Sequence, residues 1–387
     1  MSTVRSVLFW LHLAAGVLAG AVVLVMSVTG VALTYEKQMI EWADRRGWSA
    51  PAATPSPRLS PEALLAAVHS VRRAAPTTLT LRANPLAPAT VVLDGDGAIL
   101  VDPYTGVIIG PPPAGLRSFF RTMTNWHRWL AMSGDGRATG RAITGASNLV
   151  FLCIIISGIY LWIPRIRTWL QFRQVLWFRR GLASKARDFN WHNVIGIWSA
   201  MPLALVVAGA VPISYPWASH LVYRTVGEEP PPRPAPRSER PERPAAAAVD
   251  LAGIDAGYRQ AVARVPSWFA ISIRVPRGPQ SALTYTVDEG YGGQPQKRGT
   301  LTVDRATGLI DKWEAFGDQS AGRRLRSWFR FVHTGEYYGL TGQTIAGLVS
   351  AGGTVLVYTG LALAWRRFVA WRGARRPAAS ARESRAA

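Results

Sequence analysis

The chain holds six histidines, and four of them stand at matching places. "W-L-H-L-A-A-G" (10–16) and "N-W-H-N-V-I-G" (190–196) put His12 and His192 at the start of long apolar runs, each with glycine four residues on. His127 and His333 each sit just ahead of another such run. An ionisable ring at membrane depth is costly and marks a functional site by default. Two facing imidazoles suit two kinds of metal. Zinc takes four ligands, or three plus water, commonly with Cys or carboxylate, and neither pair has an acidic companion at short spacing. Haem iron takes axial ligands above and below a flat ring, which two opposed helices supply. Gly16 and Gly196 share a helix face with His12 and His192, so their missing side chains let a porphyrin lie close to the backbone. The other pair has Ala131 and Tyr337 at i+4, where that packing argument is weaker. His69 reads as a surface residue, and His220 falls near a membrane interface after Pro212 and Pro216.

The elements that must position these rings are four apolar runs, near 7–34, 142–163, 194–213 and 343–365. Each is long enough to cross a bilayer, which takes about 20 residues. The first is about twice the length of a signal-peptide core and no A-x-A pattern follows it, so it reads as a retained span. Residues 164–191 carry seven basic side chains against one acid, and the tail from Arg366 seven arginines against one glutamate. Short basic loops stay in the cytoplasm, so both termini lie there and the two long loops lie outside. The net charge of +21 then combines cytoplasmic anchors beside anionic lipid with arginine-rich outer segments. No basic stretch with interleaved aromatics forms a soluble module, which argues against nucleic acid as a partner. The single cysteine, Cys153, makes no intramolecular disulfide and reads as a small buried apolar residue.

The chain also repeats itself. "L-R-S-F-F-R" (116–121) and "G-R-A-I-T-G" (140–145) recur as "L-R-S-W-F-R" (325–330) and "G-Q-T-I-A-G" (342–347). "S-G-I-Y-L-W" and "T-G-L-A-L-A-W" follow at Gly158 and Gly360, and "V-D-P-Y-T-G-V-I" (101–108) recurs as "V-D-R-A-T-G-L-I" (303–310). The expected fold is an α-helical membrane protein with four transmembrane helices in two parallel repeats, each with a small α+β module. Its parts are a span (1–35), a module with an amphipathic pre-span segment (36–139) and a second span (140–164). A cytoplasmic loop (165–190), a third span (191–215) and a proline-rich linker (216–250) follow. A second module (251–341), a fourth span (342–366) and a basic tail (367–387) complete the chain. Ser60-Pro61-Glu62 predicts a helix start, with strands near 77–83 and 89–93 and a "D-G-D-G" hairpin turn at 94–97. The second module predicts a helix near 251–264 and strands near 268–275, 281–287 and 299–304.

"N-W-H-R-W-L" ahead of "G-R-A-I-T-G", "S-G-I-Y-L-W-I-P-R" (157–165), the doubled "D-x-x-T-G" and "T-G-L-A-L-A-W-R-R" (359–367) resemble the PepSY-associated transmembrane-helix proteins. That family includes the ferric-siderophore reductases of bacterial inner membranes. The resemblance covers nearly the whole chain apart from the proline linker and the tail. It implies periplasmic PepSY modules and haem b, two copies expected, bound by membrane histidines, with His12, His127, His192 and His333 at the matching places. Asn193 departs from the pattern, since an Arg is common after the third-span histidine. Arg117, Arg121, Arg326 and Arg330 outside, with Lys185 and Arg187 inside, are placed to meet haem propionates or an anionic chelate. No G-x-G-x-x-G opens a helix after a strand, so electrons would come from a separate donor, a cytoplasmic reductase or a quinol. The expected activity is that of a membrane oxidoreductase reducing a ferric siderophore or other ferric chelate. The competing readings are a haem-free PepSY membrane protein with a regulatory or binding role, and a siderophore or metal transporter.

Overall fold

The computed structural model describes residues 3–46, 48, 57–163, 168–232, 250–276, 282–305 and 307–374. Residues 233–249 of the proline-rich linker and 375–387 of the basic tail lie outside them. The chain opens with a long helix α1 (Thr3–Leu33) and a short α2 (Glu36–Arg46). Helix α3 (Pro61–Val71) and strands β1 (Pro76–Arg82), β2 (Ala89–Leu93), β3 (Gly97–Val101) and β4 (Ile108–Gly110) follow. An amphipathic α4 (Ala114–Trp129) then leads into the long α5 (Gly136–Trp162). After a short α6 (Trp169–Leu176) the order recurs, with α7 (Ser184–Ser214), α8 (Pro216–Thr225) and α9 (Ile254–Arg264). Strands β5 (Ala270–Arg274), β6 (Leu283–Asp288), β7 (Arg298–Val303) and β8 (Ile310–Ala315) lead to α10 (Ala321–His333) and α11 (Gly339–Ala374).

The helices α1, α5, α7 and α11 are each long and apolar enough to cross a membrane. Helix α1 packs on α5 and α11, and α7 packs on the same two. They close a four-helix ring with α1 diagonal to α7 around a core that includes Val23, Phe151, Leu203 and Val349. Large side chains such as Leu18, Ile156, Met201 and Leu348 face outward, as a lipid-embedded bundle requires. Cys153 is also exposed on that outer surface rather than buried as expected. Its environment there is apolar all the same, supplied by lipid instead of protein.

The eight strands form one antiparallel sheet in the order β4-β3-β2-β1-β5-β6-β7-β8. The two modules are therefore a single body, joined where β1 pairs with β5 from Thr78↔Arg274 to Arg82↔Ala270. Leu79, Leu81, Ile271 and Ile273 at this seam are buried with Leu64, Leu65, Ile254 and Tyr285 beneath α3 and α9. The alternate seam positions carry Thr80 and Ser272, whose hydroxyls lie 2.9 Å apart on the polar face. That period-two alternation is what a sheet with one buried face demands. Ser60 caps α3 by accepting from Ala63 N–H, with Pro61 in the first turn.

Two short helices and the start of α7 depart from expectation. Residues 216–225, expected as linker, continue as α8, because Pro216 at the first helical position supplies a preset φ and sacrifices no hydrogen bond. Residues 169–176, expected as loop, form α6, and 184–190 already belong to α7. Pro202 and Pro212 lie inside α7, which a bundle tolerates where neighbouring groups satisfy the freed backbone. At the helix end Arg141 satisfies two terminal carbonyls, donating to Ile213 O and Ser214 O (3.0 and 3.1 Å).

Candidate functional site

The ring closes around two histidine pairs. His12 on α1 and His192 on α7 bring their ring centres to 6.5 Å across the bundle diagonal. His127 on α4 and His333 on α10 bring theirs to 6.0 Å. The second pair sits against the far ends of the same two helices, at Met26 and Val206. Fourteen residues separate His12 from Met26, and His192 from Val206, so the two levels lie about 21 Å apart along the bundle.

Hydrogen bonds fix which nitrogen of each ring is free. His127 Nδ1 lies 3.0 Å from Met26 O, and His333 Nδ1 lies 2.8 Å from Val206 O. A carbonyl only accepts, so both rings carry their proton on Nδ1. On the inner level His12 Nδ1 lies 2.9 Å from Ser157 Oγ, and His192 Nδ1 lies 2.9 Å from Thr359 Oγ1. Each hydroxyl spends its own proton on its helix, Ser157 on Ile154 O (3.1 Å) and Thr359 on Val355 O (2.8 Å). Both hydroxyls must then accept from Nδ1–H. Thr29 repeats the device for His127, at 3.0 Å from its Nδ1, while donating to Val25 O (2.6 Å). Nε2 is thus the lone-pair nitrogen of all four rings, and among the described residues it has no hydrogen-bond partner. A metal-ligating histidine shows this arrangement, its other N–H given to a carbonyl or another acceptor.

Burial, then the facing His333 and Arg128, push His127 down to about 4, and burial lowers His333 as well. Both rings are neutral at pH 7, the form that binds metal. With metal–nitrogen bonds of about 2 Å, and roughly 1 Å more from nitrogen to ring centre, two imidazoles on one ion have centres about 6 Å apart. The ring-centre separations of 6.5 and 6.0 Å match that spacing. The described residues hold no group of three or more His, Cys, Asp or Glu able to bind an ion, so the donor set suits an ion whose other ligands arrive with it. Haem iron meets that condition, since its porphyrin supplies the equatorial nitrogens.

The turn after His127 is unusually constrained. Leu130 and Ala131 adopt φ of 51° and 60°, a left-handed conformation costing about 1–2 kcal/mol for a non-glycine residue. Thr144 holds the turn by donating to Arg128 O (3.0 Å), and Gly140 has no side chain to keep it off the Trp129 carbonyl. Ala131 therefore lies outside α4, and Tyr337 lies beyond the end of α10. The i+4 comparison made for these two residues does not apply, because neither shares a helix with its histidine.

The glycines that touch the rings are Gly158 and Gly360, where an added Cβ would stand 3.3 and 3.4 Å from Cε1 of His12 and His192. Gly30 does the same for His127 at 3.6 Å. Gly16 faces open space, and a Cβ on Gly196 would meet Leu356 at 3.7 Å. Ser157-Gly158, Thr359-Gly360 and Thr29-Gly30 thus form one motif used three times, a hydroxyl acceptor and then a bare backbone. The repeat exposed the first two as sequence without revealing which ring they serve.

The expected cations are partly engaged. Arg117 makes a two-pronged bond to Asp44 (2.7 and 2.8 Å), Arg187 pairs with Asp188 (2.9 Å) and Arg326 donates to Ser219 (2.8 Å). Arg330 lies over the Phe331 ring. Arg121 and Lys185 are exposed, with no partner among the described residues. His69 and His220 are exposed as well. On the sheet side a cavity of about 420 Å³ separates α2 from the polar sheet face, lined by Lys37, Glu41, Thr80, Arg82, Asp288 and Arg298. Arg82 Nη1 is buried there without a hydrogen bond among the described residues.

Fold and site together define a four-span membrane protein with two levels of paired, lone-pair-bearing histidines inside its bundle. The chain belongs to the PepSY-associated TM region family, whose model matches residues 9–367. Among the curated proteins no match is found.

Proposed function

We propose that the chain is a duplicated, dihaem b-type electron-transfer protein of a bacterial inner membrane. It would take electrons from a cytoplasmic reductase or quinol and deliver them to a ferric siderophore or other ferric chelate at the periplasmic face. The observation that carries this reading is the shared tautomer, four Nδ1–H groups held by acceptors and an Nε2 lone pair left on each ring of two pairs whose centres lie 6.5 and 6.0 Å apart. His12 with His192, and His127 with His333, would hold the two haems, each supplying a one-electron iron couple.

Duplication is supported by residue matching. His12 and Met26 on α1 and Thr34 just after it correspond to His192, Val206 and Ser214 on α7 at a constant offset. Gln343 donates to Thr34 O (2.8 Å) as Arg141 does to Ser214 O. The strand order reads the same outward from the β1–β5 seam in both directions.

The residues' own work is to hold and to exclude. Ser157, Thr359, Thr29 and two carbonyls orient the imidazoles. The apolar core between the levels keeps water from the bundle axis. The arginines of α4 and α10 would draw anionic chelates, and the cavity beside Arg82 offers them a donor without a hydrogen bond among the described residues. Iron(III) in such a chelate gains one electron, and iron(II) is held less tightly by hard oxygen ligands, so reduction loosens the metal.

The test uses proteoliposomes loaded with dithionite and haem-supplied protein, with a ferric hydroxamate chelate and a ferrous-iron dye outside. Dye colour should appear outside with the wild type and not with His12→Ala or His333→Ala. Equal colour in empty vesicles, or in those variants, would remove the reading.

A further inference from the structure

A cavity of about 540 Å³ lies at the arginine-rich end of the bundle, apart from the histidine pairs. One wall is a single face of α7, Arg187, Trp191 and Ile195, at i, i+4 and i+8. Val355 of α11 forms the floor, and Arg179 and Arg180 stand at the rim. Each step of four residues descends about 6 Å, so the wall passes from cation to interfacial aromatic to aliphatic over about 12 Å. A glycerophospholipid has that same gradient, from phosphate through ester to acyl chain.

The rim is built rather than incidental. Buried Asn190 donates to Gln174 O (2.9 Å) and Trp177 O (3.1 Å), and accepts from Arg179 N–H (3.1 Å). Trp198 Nε1 donates to Leu176 O (2.9 Å). These bonds strap residues 174–179 along α7 and present two guanidiniums at the groove mouth. Neither side chain has a partner among the described residues. Arg187 is different, since Asp188 already holds it and Trp191 lies beneath it (5.7 Å). Among the described residues no carboxylate other than the doubly paired Asp188 adjoins the groove to take up a proton, so a neutral hydroquinone is matched less well than an anion.

We infer that this groove between α7 and α11 binds one anionic phospholipid, its phosphate on Arg179 and Arg180 and one acyl chain along Ile195 and Val355. Basic pockets between membrane helices recognise such headgroups.

Native mass spectrometry tests this on the full chain released from vesicles of mixed phosphatidylglycerol and phosphatidylethanolamine. The wild type should retain one phosphatidylglycerol per chain. Each lost guanidinium should weaken retention about fivefold, so R179Q/R180Q should lower it about 25-fold. R372Q, on the same basic end but outside the groove, should retain it normally. Three results would overturn the proposal: equal retention of phosphatidylethanolamine, retention unchanged in R179Q/R180Q, or displacement of the lipid by inorganic phosphate.

Discussion

At the scale of single residues, the chemistry rests on where four protons sit. Replacing Thr359 by Val keeps the side chain's shape and removes the acceptor of His192 Nδ1–H. Loss of such an outer partner typically costs 10–100-fold in metal affinity. Thr359→Val should therefore weaken haem retention at the inner level by that factor in a haem titration, with the outer level unchanged. Acidity acts on the outer level. His127 and His333 titrate lower in the fold than the ordinary histidine value of about 6.5. Between 6.5 and about 4 the unfolded chain thus binds protons that the folded chain refuses. Stability should rise with pH through that window and be lost on acidification, by about 2 kcal/mol at pH 5 for His127. Melting of the haem-free protein between pH 7.5 and 5 checks this, and a flat profile in which His127→Leu matches the wild type would contradict it. The four ligand candidates were legible from sequence because a histidine in an apolar run stands out. Ser157 and Thr359 were not, because a hydroxyl within a span also reads as ordinary helix packing. Only the approach of a second helix gives it an acceptor's role.

At the scale of elements, close approach decides what each helix can do. Gly209 of α7 lets α10 come near, since a Cβ there would stand 2.6 Å from Phe329 O and 3.1 Å from His333 Cβ. Gly209→Ala should push α10 away, costing about 1–3 kcal/mol. It should disturb the outer level while sparing the inner one, which haem spectra of the two levels would separate. Gly257 of α9 plays an equivalent part against Tyr285, whose hydroxyl donates to Ile254 O (2.8 Å). Gly257→Ala should destabilise the sheet by a similar amount and leave both histidine levels intact. Elements with strong periodicity were readable in advance. Helix α3 and strands β2, β6 and β7 fall within a residue or two of expectation, because caps, turns and alternation are local signals. The short helices α2, α6 and α8 were missed. Each is mixed in composition and gains its stability from docking beside a span, as α6 does on α7 through Trp198, and no local pattern reports that.

At the scale of the whole molecule, one seam and one ring organise everything. The sequence suggested two separate modules, and the β1–β5 pairing makes them one sheet. Period-two patterning gives each strand its buried face but does not name its neighbour, so that union could not be read from the chain. Membrane orientation is open to a direct check. Cys153 faces the apolar exterior of the bundle and should resist a membrane-impermeant thiol reagent, leaving a clean background. Asp96→Cys, at the β2–β3 turn, should be labelled from outside intact inner-membrane spheroplasts. Lys185→Cys should be labelled only after lysis, and the opposite pattern would invert the orientation. The central claim is that two metal-binding levels exist and that each belongs to one histidine pair. Reduced-minus-oxidised absorption spectra of haem-supplied protein measure this most directly, across the four single His→Ala variants. The account predicts two b-type haems in the wild type, the same one lost in His12→Ala and His192→Ala, and the other lost in His127→Ala and His333→Ala. A wild type without b-type absorbance, or all four variants spectrally unchanged, would contradict it.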